Sequence, residues 1–184
     1  FGMGSDEIRG EIELRAGVPV AIEVDYPFSL DNRLRGLQIG AAGPVIGDPI
    51  EAAVEAARAA EVAIVVIGTD ADWETEGEDR TNMSLPGRQD ELVSRVAAVN
   101  PRTVVVLNTG AAVTMPWVDE VAAVLQIWFP GEEIGNVVAD VLLGDAEPGG
   151  RLSTTLPKRL EDHPAYAHHP GRAGRDRERL RPRA

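Results

Sequence analysis

The 184-residue chain is acidic, with 18 basic and 30 acidic residues and a net charge of −12. This charge argues against binding to nucleic acid or to anionic membrane surfaces. No apolar run has the length of a membrane span, and because cysteine is absent the chain has no disulfides and no thiolate metal sites. These properties predict a soluble globular domain with neither nucleic acid nor a membrane as partner.

Residues 1–43 are predicted to be the end of a β-domain. Apolar and polar residues alternate over residues 11–26, which is typical of a β-hairpin with one buried face. Residues 34–39 are predicted to form another short strand. A few strands alone would be marginally stable. The chain starts at Phe1 rather than Met, so we expect it to be a segment of a longer protein.

From residue 44 the pattern changes to helices that alternate with apolar strands. Asp48 and Pro49 form a favourable N-cap and first-turn pair for the first helix. Helices are predicted over residues 48–61, 86–99 and 133–143, and strands over residues 62–67, 103–107 and 121–127. Strands that are apolar on both faces and alternate with helices indicate βαβ units. The predicted fold is therefore α/β, with a parallel-rich sheet sandwiched between helices.

Three loops are expected to meet at one edge of this sheet. Right-handed crossovers place the carboxyl ends of all parallel strands at the same edge, and ligands of such sheets bind beyond that edge. The loops that follow the three strands begin at residues 68, 108 and 128. The carboxyl edge of the sheet is therefore the predicted site.

The first of these loops, the acidic loop (residues 69–80), is crowded with carboxylates. Its acidic residues are Asp70, Asp72, Glu74, Glu76, Glu78 and Asp79. Carboxylates so close raise the cost of ionising one another, so the crowding favours a site over a stabilising surface. A carboxyl group that keeps its proton suits general acid catalysis, and Trp73 could stack on a sugar ring. A solvated acidic loop is the alternative.

Three other chemistries have weaker support. The loop lacks a G-x-G-x-x-G motif and a P-loop lysine, which argues against nucleotides. Its acidic residues are spaced by twos, as in calcium loops, but Gly77 comes eighth rather than sixth; a metal-binding regulatory domain stays an alternative. The histidines lie near the C-terminus and no G-x-S-x-G motif occurs, so a serine hydrolase is not predicted.

The sequence WETEGEDR at residues 73–80 resembles the C-terminal domain of the family 3 glycoside hydrolases, the β-glucosidases. Further blocks follow in the family's order, so the resemblance covers roughly residues 48–166. They lie at residues 82–87, 104–110, 128–136, 142–145, 148–153 and 162–164. Residues 1–43 resemble the end of the protective-antigen-type β-domain that some members carry as an insert.

The resemblance implies retaining hydrolysis of terminal β-glycosidic bonds by two carboxylates about 5 Å apart, with no metal or organic cofactor. In the family the nucleophile is an Asp of an N-terminal (β/α)₈ barrel, and the acid/base Glu comes from the acidic loop. The family pattern Glu-Gly-x-Asp-Arg selects Glu76, with Glu74 as second candidate. Trp73, Asp79 and Arg80 are the candidates for substrate binding; bracing of the loop is the alternative for the last two.

The sequence departs from the family in two respects. It has no counterpart of the barrel, and after residue 171 it becomes rich in Arg with no β-pattern. Residues 44–166 are therefore predicted to be the family domain and residues 167–184 a basic, disordered tail. The chain alone is expected to be inactive, acting on a β-glucoside only together with a barrel domain. A non-catalytic carbohydrate- or protein-binding module, or an inactive fragment, is the alternative.

Overall fold

The computed structural model describes residues 8–26, 37, 39–44, 46–76 and 79–167. The described residues form two compact units, one up to Ile46 and one from Gly47 onward. The helices and strands are α1 (Pro49–Ala59), β1 (Ala63–Gly68), α2 (Gln89–Ala97), β2 (Thr103–Asn108), β3 (Ala123–Gln126), α3 (Ile134–Leu143) and a 3₁₀ helix (Leu160–Asp162). Among these helices none has the length and apolarity needed to cross a membrane.

The hairpin predicted for residues 11–26 is not observed. Residues 8–26 contain no β-strand, and one backbone hydrogen bond, from Val18 N to Arg15 O, closes a turn. The alternating apolar side chains are exposed, among them Ile12, Leu14, Val20 and Ile22. Alternation specifies a strand only where another layer covers its apolar face, and an isolated hairpin is marginal in water. Most of the predicted strand over residues 34–39 lies outside the described residues.

The second unit contains a parallel three-stranded sheet in the order β1-β2-β3. In the register of β1 and β2, Ala63 lies opposite Thr103 and Gly68 opposite Asn108. The predicted α/β class, the parallel sheet and all three helices are confirmed. Because β1 and β2 end at the same level, the loops that follow them begin side by side at the carboxyl edge.

Helices α1 and α2 cover one face of the sheet. Their buried side chains pack against the inward residues of β1 and β2 in a single core that includes Ile50, Val54, Ala57, Val65, Ile67, Val93, Val96, Val105, Leu107 and Trp117. Burying one such aliphatic side chain stabilises the fold by about 1.5–3 kcal/mol. This layer therefore fixes the position of the sheet beneath the candidate site.

The other face of the sheet is less covered than the sequence predicted. Val106 of β2 is buried there, but Ile64 and Val66 of β1 are 52% and 64% exposed. Helix α3 has no buried residue. In the described part of the chain, helices thus cover one face of the sheet well and leave the β1 side of the second face open.

Asn100, in the turn after α2, caps the C-terminal end of α1. It is buried, and its Nδ2 donates to the carbonyl oxygens of Ala57 at 2.9 Å and Ala60 at 3.1 Å. Its Oδ1 accepts from Arg102 N at 2.9 Å. The last carbonyls of a helix lack intrahelical partners, so this amide completes α1 and joins it to the start of β2.

Trp117 is a core residue. Its indole is fully buried, and its Nε1 donates to Asp90 Oδ1 at 2.7 Å. Asp90 is half-buried on the first turn of α2. Burial raises the pKa of Asp90 above its usual value, and the hydrogen bond from Trp117 partly offsets this rise.

We expect Trp117→Phe to lower the melting temperature of the chain more at pH 7 than at pH 3. Without the indole donor the ionised form of Asp90 is disfavoured further in the folded state, so its pKa rises again. That penalty is absent below the pKa of the unfolded state, where the carboxyl is protonated in both states, and grows as the pH rises through the folded pKa. The pH-dependent part of the loss in unfolding free energy amounts to about 1–2 kcal/mol. Thermal unfolding at both pH values measures it, and in the Asp90→Asn background it should disappear.

Candidate active site

The acidic loop begins with a compact turn organised by Asp70. Its Oδ1 accepts hydrogen bonds from the backbone nitrogens of Asp72 and Trp73, both at 3.1 Å. Its carbonyl oxygen accepts from Trp73 N at 3.1 Å and Glu74 N at 2.9 Å. An Asp side chain that bonds to backbone nitrogens two and three residues on is a usual turn former. The turn brings Glu74 back over the end of the sheet.

The side chain of Glu74 joins this turn to the loop that follows β2. Its Oε1 accepts a hydrogen bond from Thr69 Oγ1 and a second from Gly110 N at 2.9 Å. A Cβ atom at Gly110 would lie 2.6 Å from Glu74 Oε2 and 2.7 Å from the ring of Phe129, in the loop after β3. All three loops therefore meet at Glu74, as the topology predicted.

Gln89, the first residue of α2, holds the end of β1. Its Oε1 accepts from Gly68 N at 2.7 Å, and its Nε2 donates to Gly68 O at 2.9 Å. This pair of bonds imitates those of a neighbouring strand. The sequence did not identify Gln89, because a polar residue at the start of an amphipathic helix gives no signal of the backbone that it contacts.

The predicted substrate-binding residues lie together. Trp73, Asp79 and Arg80 line, with Glu74 and Thr75, an open pocket of about 290 Å³. Glu76 does not line this pocket. Its side chain is exposed and has no hydrogen bond or ion pair with any other described residue. The two candidate acid/base residues thus differ: Glu74 is half-buried and bonded, whereas Glu76 projects outward.

Two residues that line the pocket carry buried donors with no partner among the described residues. They are Trp73 Nε1 and the Nε and Nη2 atoms of Arg80, whereas Arg80 Nη1 donates to Ala112 O at 3.4 Å. Buried polar groups are normally hydrogen-bonded, and an unpartnered donor costs about 1–3 kcal/mol. These donors therefore require acceptors beyond the described residues.

The loop after β3 contains a strained residue that the sequence did not reveal. Trp128 has a φ of 55°, and among the described residues it is the only non-glycine with a positive φ. Such a conformation costs about 1–3 kcal/mol and is frequent at functional sites. Trp128 is half-buried at the carboxyl edge.

In the described part of the chain, no group of three or more His, Asp or Glu side chains is arranged to hold a metal ion. One carboxylate oxygen of Asp70 accepts hydrogen bonds within the turn, and one of Glu74 accepts a hydrogen bond from Gly110 N. The acidic residues spaced by twos therefore do not converge as calcium ligands.

The second unit is a parallel α/β domain that gathers carboxylates, an indole and a guanidinium at its carboxyl edge, where folds of this kind bind their ligands. Residues 5–181 match the glycosyl hydrolase family 3 C-terminal domain. The chain belongs to this family, which confirms the resemblance seen in its motifs. The domain boundaries at residues 43/44 and 166/167 remain predictions.

Its relatives are much longer proteins. The chain is 44% identical over 174 residues to a β-glucosidase of Rhizobium radiobacter, covering 92% of this chain and 21% of that protein. It is 52% identical over 126 residues to β-glucosidase B of Emericella nidulans, covering 67% and 15%. The crystal structure of a Kluyveromyces marxianus β-glucosidase in complex with glucose matches with a TM-score of 0.63 at 44% identity, over 67% of this chain and 15% of that one. The chain thus spans about a fifth or less of these relatives.

Proposed function

We propose that this chain is the segment of a retaining β-glucosidase that supplies the acid/base carboxyl group, Glu76, and part of the sugar pocket. The observation that carries the proposal is the meeting of three loops at Glu74, two residues before Glu76, in a chain of this family. The nucleophile would be an Asp of a (β/α)₈ barrel domain outside these residues. The substrate would be a terminal β-glucoside, and no cofactor is proposed.

Two properties favour Glu76 over Glu74 as the acid/base. The Oε1 atom of Glu74 already accepts two hydrogen bonds, whereas a general acid must come within about 2.6–3.2 Å of the leaving oxygen. Glu76 is exposed and free of described partners. If the nucleophile belongs to another domain, the acid must project beyond its own domain to come within about 5 Å of it.

The pocket beside the acidic loop is the proposed contribution to sugar binding. The indole of Trp73 offers an apolar face for a pyranose ring, and sugar hydroxyls would supply acceptors for Trp73 Nε1 and Arg80 Nη2, which are otherwise unpartnered among described residues. Asp79 lines the same pocket and could accept from a hydroxyl group. A non-catalytic sugar-binding module would use the same contacts, so binding alone does not distinguish the two functions.

Hydrolysis of an aryl β-glucoside by the purified chain, with and without a family 3 barrel domain, tests the proposal. We expect turnover only in the mixture, and the barrel alone serves as the control. Turnover by the chain alone would contradict the proposal, because the nucleophile would then lie within these residues. Glucose binding by the chain without turnover in the mixture would also contradict it and would favour the non-catalytic module.

A further inference from the structure

We infer that Glu74 is a positioning residue, whose carboxylate holds the acidic loop against the loop after β2 and thereby sets the location of Glu76. This inference rests on the proposed function of Glu76. It assigns to Glu74, the first carboxyl group of the WETEG sequence, a role that is distinct from proton transfer and requires only its acceptor oxygen.

The backbone of Glu74 and its side chain are both fixed. Glu74 N donates to Asp70 O at 2.9 Å, and Oε1 accepts from Thr69 Oγ1 and from Gly110 N. Thr69 is in turn held by the sheet, since its N donates to Asn108 O at 3.0 Å. Glu74 is therefore bonded to Thr69, which directly follows β1, and to Gly110, two residues after the end of β2.

The carboxylate also lies close to the backbone of Gly110. Glu74 Oε2 and the ring of Phe129 both lie within 3 Å of the position that a Cβ atom of Gly110 would take. The absence of a side chain at Gly110 therefore allows the carboxylate to approach the loop after β2. Glu76 follows two residues later and has no hydrogen bond or ion pair with any other described residue, so the hydrogen bonds of Glu74 help to fix the segment of the acidic loop that carries Glu76.

Both hydrogen bonds to the Glu74 side chain end on the same atom, Oε1. A glutamine has the same shape and can place its amide oxygen there, so Glu74→Gln keeps both bonds while it removes the titratable proton. Glu74→Ala removes both bonds. A positioning residue tolerates the first change and not the second, whereas an acid/base tolerates neither.

The test uses the assembled enzyme, meaning this segment joined to the barrel domain of a family member. We expect Glu74→Gln to keep kcat within about threefold, because only the extra strength of a charged acceptor is lost. Glu74→Ala should lower kcat about 10- to 100-fold, with a larger loss on glucosides that have poor leaving groups, because displacement of a catalytic group by about 1 Å costs about that much. KM should change less than kcat.

Two further variants keep the test decisive. Thr69→Val removes one of the two hydrogen bonds to Glu74 and keeps Glu74 itself. It should lower kcat less than Glu74→Ala does, and it provides a test even if Glu74→Ala folds poorly. Asp72→Asn is the matched control, because this exposed carboxylate lies in the same turn and only its backbone is bonded. It should leave kcat unchanged.

The outcomes separate this inference from the proposed function. If Glu74→Gln abolishes turnover of poor substrates and removes the high-pH limb of the rate profile, Glu74 is the acid/base and the inference is overturned. If Glu74→Ala and Thr69→Val leave kcat unchanged while Glu76→Gln impairs it, positioning is refuted although the proposed function holds. If Glu76→Gln has no effect, the proposed function itself fails.

Discussion

Glu76→Gln in the assembled enzyme is expected to lower the turnover of glucosides with poor leaving groups by about 10²- to 10⁴-fold, the usual contribution of general acid catalysis. The aglycones of alkyl glucosides and of cellobiose must leave as alkoxides unless a proton is supplied. Hydrolysis of these substrates therefore depends most on the general acid. Nitrophenolates and dinitrophenolates leave readily without protonation. The rate of the glycosylation step should therefore fall much less for nitrophenyl and dinitrophenyl glucosides. Steady-state rates across a series of leaving groups measure the difference.

The second half of the reaction gives an independent check on Glu76. In a retaining mechanism the same residue activates the water that releases the glucosyl enzyme. Azide needs no such activation, so it should restore the turnover of dinitrophenyl glucoside in the Glu76→Gln variant and yield glucosyl azide. An equal loss on activated and poor substrates, with no effect of azide, would show that Glu76 acts in binding or folding rather than in proton transfer.

The elements of the second unit could be predicted because their signals are local. The N-cap of α1 is formed by Asp48, whose Oδ1 accepts from Ile50 N at 3.0 Å, and the apolar strands lie within two residues of their predicted bounds. The hairpin that the alternation predicts over residues 11–26 is not formed, because alternation specifies a strand only when another layer covers its apolar face, and the sequence does not specify that layer. The exposure of Ile64 and Val66 could not be predicted for the same reason, because the sequence does not specify which layer covers that face of the sheet.

The sequence could predict which residues lie at the carboxyl edge, but not which hydrogen bonds their side chains make. Motif and topology placed the acidic loop and Trp73 at the carboxyl edge, but spacing left Glu74 and Glu76 as alternatives for one role. What separates them is tertiary, namely the hydrogen bond from Gly110 N, which lies 36 positions away in the chain. The two hydrogen bonds between Gln89 and Gly68 could not be predicted either, because these residues are also far apart in the chain.

Gly68→Ala should be the most destabilising single methyl addition at the carboxyl edge. Its new Cβ would lie 2.0 Å from Asn108 O and 2.9 Å from Asn108 C, where both clashing atoms are backbone. Asn108 O also accepts the hydrogen bond from Thr69 N, so it cannot move without breaking the start of the acidic loop. The clash can be relieved only if the ends of β1 and β2 separate, which would also strain the two bonds from Gln89.

We expect a loss of about 3–5 kcal/mol in the free energy of unfolding of the chain, at the upper end of single substitutions. Urea unfolding followed by tryptophan fluorescence measures it. Gly149→Ala is the matched control, because no atom lies within 4 Å of its Cβ position, and it should change the unfolding free energy by less than about 0.5 kcal/mol. If both variants unfolded at the same urea concentration as the original chain, β1 and β2 could not be as close at Gly68 as the structure has them. The meeting of loops at Glu74, on which the proposed roles of Glu74 and Glu76 depend, would then have no structural support.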